Sequence, residues 1–193
     1  CALPIYCNTI DYLESLDKLS INLRDNLLAP MTLAKISNKY NIHMIYLGTG
    51  CIYEYDETHL EPKKTSASAS EIISFTENDE PNFHGSQYSV VKGITDQLIR
   101  QYNNVLNARI RMPISSDLTS PRNFVTKIMS YKYIIDIQNS MTVLQDILPI
   151  LIDLSIQKTT GTINLTNPNT ISPVEILHML GKSEEKGEDR KST

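Results

Sequence analysis

A nearly continuous apolar run, Asn41-Ile-His-Met-Ile-Tyr-Leu47, is followed by a helix-period segment from Tyr88 to Tyr102 and then by a second strand-like segment, Val105 to Arg111. This strand–helix–strand order constrains the fold more than any other feature of the chain. A strand that is apolar on both faces must be covered on both faces, which is the condition of a parallel strand in an open α/β sheet. Val91, Ile94, Leu98 and Ile99 recur at helical spacing between the two runs. The expected fold is a doubly wound α/β sheet.

The loop end of that first strand and the helix after it carry a chemical pattern. Thr49 sits just past the carboxyl end of the first strand, where open α/β sheets place their ligands. Tyr88 and Lys92 lie four apart and so share one helix face. An ammonium beside a phenol favours the phenolate, which makes the tyrosine a better proton donor and acceptor. A hydroxyl at Thr49 and a phenol at Tyr88 can then orient a carbonyl between them, as in a nicotinamide-dependent carbonyl reductase. Cys51, two residues on, points to a second reaction in the same pocket. With 10 tyrosines in the chain, roughly 0.6 Tyr-x-x-x-Lys matches arise by chance, so the strand context carries the reading.

The net charge of −4 argues against a nucleic-acid or polyanion partner. No apolar run approaches membrane-spanning length, so a soluble protein is expected. Cysteines at positions 1, 7 and 51 form neither a metal-ligand spacing nor an even disulfide set. A reducing cytoplasm suits them, and no metal site is expected. The length of 193 residues suits one domain. Cys1-Ala-Leu-Pro-Ile5 resembles a translated sequencing adapter and is set aside, and residues 181–193, charged and nearly without apolar residues, read as a disordered tail. No G-x-G-x-x-G or G-x-x-G-x-x-G turn, the usual cradle for a pyrophosphate, occurs. The chain therefore reads as the later part of a Rossmann-type sheet, without its N-terminal βαβ units. Residues 6–111 would belong to the cofactor-binding domain, and 112–180 would mix substrate-binding and Rossmann elements.

Ser15 to Tyr40 reads as one long helix with Leu16, Leu19, Leu23, Leu27, Met31 and Ala34 on a stripe, interrupted by Pro30. Pro30 has no N–H to give the carbonyl of Asn26, four residues back. Its plain reading is a harmless kink. Glu57 to Ser70 reads as an exposed loop insertion. Met112-Pro-Ile114 is expected to end regular structure. Asn123 to Tyr131 reads as a short helix, Met141 to Gln157 as an amphipathic helix, and Gly161 to Leu165 as a strand. Ser172-Pro-Val-Glu175 has the pattern of a capping box opening a last helix that ends near Leu180. Arg122 and Asn123 precede a helix N-terminus, which suits a diphosphate as well as it suits simple capping. His84 reads as a loop residue, and Glu77-Asn-Asp-Glu80 as a solvated face.

Longer strings carry a resemblance. Gly48-Thr-Gly-Cys-Ile-Tyr-Glu-Tyr-Asp56, Pro81-Asn-Phe-His-Gly-Ser-Gln-Tyr88, Arg109-Ile-Arg-Met-Pro-Ile-Ser-Ser-Asp117 with Pro121-Arg-Asn-Phe124, and Thr166-Asn-Pro168 stand in order along the chain. Over about residues 6 to 180 it resembles the extended short-chain dehydrogenase/reductases, in their dTDP-4-dehydrorhamnose reductase branch. It is most similar there to the bifunctional UDP-4-keto-6-deoxy-glucose 3,5-epimerase/4-reductases of plants, algae and giant viruses. The resemblance implies NADPH as cofactor, with NADH open, and a nucleotide-sugar substrate; a homodimer is one option, with the oligomeric state open. It implies that Tyr88 protonates the C4 oxygen, Lys92 lowers the tyrosine pKa and holds the nicotinamide ribose, and Thr49 hydrogen-bonds the C4 carbonyl. Cys51 and Lys127 fall where this branch places its epimerising acid–base pair. Pro113 and Ile114 would lie near the nicotinamide, and Ser86, Arg122 and Asn123 would bind substrate. In such reductases the asparagine matching Asn26 often holds, on its main-chain carbonyl, a water leading to the lysine. The rivals are a plain 4-keto-sugar reductase with Cys51 idle, a GDP-fucose synthase-like enzyme, and a non-catalytic partner subunit. Outside this context Cys51 would be an ordinary buried thiol and Lys127 a solvated helix lysine.

Overall fold

A computed structural model describes Leu13, residues 15–59 and residues 74–181. Residues 1–5, most of the 57–70 insertion and the tail beyond Gly181 lie outside the described residues. Three strands, β1 (Met44–Thr49), β2 (Val105–Ile110) and β5 (Gly161–Asn164), form a parallel sheet in the order β1-β2-β5. A second, two-stranded parallel sheet joins β3 (Pro113–Ile114) to β4 (Thr142–Val143). The helices are α1 (Leu19–Leu23), α2 (Ala29–Lys39), α3 (Gln87–Ile99), α4 (Phe124–Ser130), α5 (Leu144–Ile156) and α6 (Pro173–Met179). None among the described residues is long and apolar enough to cross a membrane.

The central sheet is covered on both faces, as a doubly wound fold requires. Alternation along the strands divides the work. On one face Tyr46 and Val105 pack with Ala34 of α2 and Ile99 of α3. On the other, Leu106, Ala108 and Leu165 pack with Ile147 of α5, and Leu151 and Leu154 of the same helix extend that cluster. A fully buried aliphatic side chain of this size contributes roughly 1.5–3 kcal/mol. A separate small core gathers Val125 and Ile128 of α4, Met141, and Ile176 and Leu177 of α6.

The first helical region departs from the expected single helix. A 3-10 turn (Leu16–Lys18) precedes α1, and a π turn (Arg24–Leu28) separates α1 from α2. The buried stripe is Asn22, Asn26, Pro30 and Ala34, spaced four apart, while Leu19 is exposed. A π turn takes up more residues per turn than an α turn, so the inward face follows a period of four instead of 3.6. Two asparagines can sit inside because the Nδ2 of Asn26 donates to the Oδ1 of Asn22 at 3.0 Å.

Three boundaries also moved. β1 begins at Met44, because Asn41 takes a left-handed φ of 54° and turns the chain after α2. Pro113 and Ile114, expected to end regular structure, form β3 instead. Met112, with φ of 41°, redirects the chain into the second sheet. The segment from Met141 splits, since Thr142 and Val143 pair with that strand before α5 begins at Leu144. The last helix opens as expected, with the capping box of Ser172 and Glu175 complete and Leu180 as C-cap.

Candidate active site

The carboxyl end of β1 is built as a held turn. Thr49 is the last residue in register, opposite Ile110, and the Gly50 N–H donates to the Ile110 carbonyl at 3.0 Å. The Oγ1 of Thr49 accepts the N–H of Cys51 at 3.1 Å. Thr49 is buried, and Cys51 is a half-buried free thiol. Arg111, one residue past β2, donates from Nη1 to the Gly50 carbonyl at 2.7 Å. Its Nε and Nη2 donate to the Oδ1 of Asn139 at 3.2 and 2.8 Å. A Cβ on Gly50 would meet the Arg111 Cδ at 3.2 Å, so a larger residue there would push the arginine stem by a few tenths of an ångström. The carbonyl of Ile52 then accepts the N–H groups of Asn82 and Phe83, both at 3.1 Å, tying the turn to the chain that enters α3.

α3 starts at a cap. The Oγ of Ser86 accepts the Ser89 N–H at 3.1 Å, so Ser86 performs helix capping in this structure. Tyr88 follows in the first turn, half-buried, and Lys92 lies one turn further on. Lys92 is 6% exposed. Its Nζ donates to the Leu47 carbonyl at 3.1 Å and to the hydroxyl of Tyr46, and lies 4.3 Å from the centroid of the Tyr46 ring. The ammonium is therefore held against β1, beside the strand residues that lead into Thr49.

The carbonyl of Asn26, whose i+4 donor Pro30 removes, accepts the Oγ1–H of Thr95 at 2.6 Å. Thr95 is fully buried on α3, so this bond joins the π turn to the helix of Tyr88 and Lys92.

A buried ion pair seats α3 on β2. Asp96 accepts from the Nε and Nη2 of Arg109, both at 2.8 Å, from Asn107 at 2.7 Å and from Arg100 at 3.0 Å. Beside it, burial pushes the Tyr53 phenol up to about 12, with the Arg109 guanidinium opposing the shift.

The remaining expected residues lie past β2. Pro113 and Ile114 are half-buried in β3. Lys127 is half-buried on α4, whose Val125 and Ile128 pack against Met112 and Ile114. Arg122 is exposed. Asn123 is buried and committed: its Nδ2 donates to the carbonyls of Ser115 and Asp117 at 2.8 and 2.9 Å, and its Oδ1 accepts the Val125 N–H at 3.2 Å. It caps a helix of seven residues and locks the preceding loop. His84 is exposed in a loop, as expected.

The structure thus places Lys92 against Tyr46 and Leu47 of β1, the strand that ends in the Thr49–Cys51 turn, with Tyr88 a turn before the lysine. Sequence reasoning missed Tyr46 and Arg111. The usable signals were the alternation that turns Tyr46 toward the helix side and a charged residue at a strand end next to a glycine turn.

No protein-family model matches the chain. It is 52% identical over 174 residues to a protein of Acanthamoeba polyphaga mimivirus, covering 90% of this chain and 57% of that one. The crystal structure of the mimivirus UDP-rhamnose synthase superposes with a TM-score of 0.79 at 51% identity, covering 89% of this chain and 57% of that one. A bifunctional dTDP-4-dehydrorhamnose 3,5-epimerase/dTDP-4-dehydrorhamnose reductase of Arabidopsis thaliana is 45% identical over 157 residues, covering 81% of this chain and 50% of that one. The dTDP-4-dehydrorhamnose reductase of Bacillus anthracis, solved in complex with NADP, shares the fold at a TM-score of 0.69 and 16% identity, over 91% of this chain and 60% of that one. The chain spans little more than half the length of the curated relatives to which it is most similar here.

Proposed function

From the premise that this chain is a homologue of the dTDP-4-dehydrorhamnose reductase branch of the short-chain dehydrogenase/reductases, we propose that the protein is a nucleotide-sugar 3,5-epimerase/4-reductase. It converts an NDP-4-keto-6-deoxy-glucose to the corresponding NDP-L-rhamnose with NADPH. The observation that carries the reading is that the buried Lys92 ammonium bonds the Leu47 carbonyl of β1, two residues before the Thr49–Cys51 turn in which that strand ends. The residues fit the nicotinamide end of the cofactor: a buried ammonium bonds the parallel strand that ends in Thr49, and half-buried Pro113 and Ile114 form β3 just past β2. Lys92 and Tyr88 would hold the ribose, and Pro113 and Ile114 the ring. When bound there, the cofactor supplies a hydride.

The chain's own residues account for the rest. In a 4-keto sugar the hydrogens at C3 and C5 are acidic because they flank the carbonyl. Cys51 as thiolate takes one of these protons. The electron pair moves onto the C4 oxygen, where the Thr49 hydroxyl and the Tyr88 phenol donate to the enolate. Lys127 returns a proton to the opposite face, which inverts the carbon. Once both centres are inverted, Tyr88 gives its proton to the C4 oxygen as that carbonyl is reduced. Lys92 stabilises the resulting tyrosinate. Arg122 contributes an exposed cation toward the diphosphate, and Ser86 and Asn123 shape the loops around the substrate. A cytoplasmic homodimer completes the reading.

The test uses the complete reading frame that encodes this chain. It is supplied with UDP- or dTDP-4-keto-6-deoxy-glucose and either NADPH or NADH, and the product is identified by NMR. An L-rhamnose product with preferential NADPH oxidation is expected. Reduction of an already epimerised 4-keto-L-sugar without turnover of the 4-keto-6-deoxy-glucose would reduce the protein to a plain reductase, and no turnover of either would favour a non-catalytic subunit.

A further inference from the structure

Lys92 and Tyr46 form a buried pair that the mechanism above does not use. We propose that Tyr46 is the positioning residue of this site, its hydroxyl fixing the Lys92 ammonium at the carboxyl end of β1. The inference rests on the reading that Lys92 serves C4 reduction.

An ammonium has three donors and no acceptor, and one that is 6% exposed needs protein oxygens. Two are supplied from β1. One is the Leu47 carbonyl at 3.1 Å, which any residue at that position would offer. The other is the hydroxyl of Tyr46, a side-chain group that depends on sequence. The same ring lies 4.3 Å from the Nζ, close enough for a cation–π contribution. Tyr46 is itself 7% exposed and cannot swing away: its backbone is in register with Asn107, and its ring packs among Ala34, Ile99 and Val105. The lysine is thus held from the strand side by a phenol whose own position is fixed by the core.

Thr95, three residues after Lys92 on the same helix, donates to the Asn26 carbonyl and so fixes α3 against the first helical region. Because Tyr88 and Lys92 are rigidly spaced on α3, the side-chain atom that holds the ammonium determines how it stands relative to the Tyr88 phenol. A hydrogen bond to the charged form also favours that form. Losing the Tyr46 hydroxyl should therefore let Lys92 deprotonate at lower pH.

The test is Tyr46→Phe in the complete reading frame, which keeps the ring and its packing and removes only the hydroxyl. Three measurements are compared with wild type: steady-state reduction of an already epimerised 4-keto-L-sugar, its pH profile, and NMR of the 15N-labelled lysine ammonium, assigned by Lys92→Met. We expect kcat to fall about tenfold or more, with KM for the sugar little changed. The alkaline limb of kcat should move to lower pH, and the protected ammonium signal should be lost. A folded Tyr46→Phe protein with wild-type kcat, pH limb and ammonium signal would overturn the proposal. A wild-type protein that reduces no 4-keto sugar would sink the functional reading instead. The ammonium signal would then still decide whether Tyr46 holds Lys92, its survival in Tyr46→Phe counting against the pair.

Discussion

Arg111 and Gly50, 61 residues apart in sequence, are joined by a 2.7 Å bond from the arginine Nη1 to the glycine carbonyl. The other edge of the same guanidinium grips Asn139. One planar fork thus spans the turn that carries Thr49 and Cys51 and the chain that leads into the second sheet. A lysine has a single nitrogen and cannot address both partners with that geometry.

Arg111→Lys should accordingly leave the protein folded while loosening the turn. Both solvent exchange at C3 or C5 and reduction at C4 are expected to fall by about 10 to 10²-fold, since a misplacement near 1 Å costs on that order. Rates of both reactions, with circular dichroism to confirm folding, check it. Wild-type rates for both would mean the turn holds its shape without Arg111.

Asp96→Ala should destabilise the fold by about 3–5 kcal/mol, because it strands the buried Arg109 guanidinium. Asp96 and Arg109 are 1% exposed each, so water cannot replace the lost partner. Urea denaturation measures the loss. A change within 1 kcal/mol, on the order of an exposed pair, would show that the pair is not the anchor of α3.

Tyr88→Phe should abolish C4 reduction and preserve the fold, because the ring packs alike but the proton donor is gone. A loss of about 10²-fold or more is expected for a positioned acid. Turnover of the 4-keto-L-sugar near the wild-type rate would remove Tyr88 from that role.

Cys51→Ser should block solvent-deuterium incorporation at C3 or C5, since a serine hydroxyl is far too weakly acidic to replace a thiolate. Reduction of an already epimerised substrate should continue, because Thr49, Tyr88 and Lys92 remain. Lys127→Ala should behave likewise. NMR of deuterium uptake beside NADPH consumption separates the two reactions. Exchange at the wild-type rate in Cys51→Ser would leave only the reductase.

Asp79 and Asp56 define an acid limit for the region around the pocket. The backbone N–H of Thr76, then its hydroxyl, holds Asp79 below the ordinary carboxylate range, and the N–H of His59 does the same for Asp56. Their native pKa values are depressed, so the unfolded chain binds more protons. Their stabilisation is complete above the unfolded value of about 4 and is lost as pH falls through the native values. Both groups are solvent-accessible, so the effect is small and weakens with salt. Asp79→Asn should flatten the fall in urea midpoint between pH 5 and pH 3. An unchanged slope would deny Asp79 a part in it.

Local pattern was enough for the elements that obey one rule throughout. Met44 to Thr49 and Val105 to Ile110 read as strands from their short, apolar-rich stretches, although Asn107 and Arg109 are buried on the face that carries Val105. α3 is a helix because its inward residues repeat at helical spacing, and α6 begins where Ser172 and Glu175 can satisfy each other's N–H groups. Thr49 and Cys51 were legible for the same reason, since chain order alone puts them at a strand end. The π turn at Arg24–Leu28 was not, because a one-residue change of period is invisible until α3 shows which face must turn inward. Pro113 and Ile114 pair only because Thr142 arrives beside them from 29 residues away.

The sequence by itself determined most of the kinds of element, their order, and which residues are candidates for acid–base chemistry, since each depends on neighbours within a few residues. Only the tertiary structure decided what those groups touch. Lys92 meets Tyr46 across 46 residues, Thr95 meets Asn26 across 69, and Asp96 meets Arg109 across 13. Hydrogen bonds act over about 3 Å, and sequence separation carries no information about which distant atoms the packing of helices on a sheet will bring within that range.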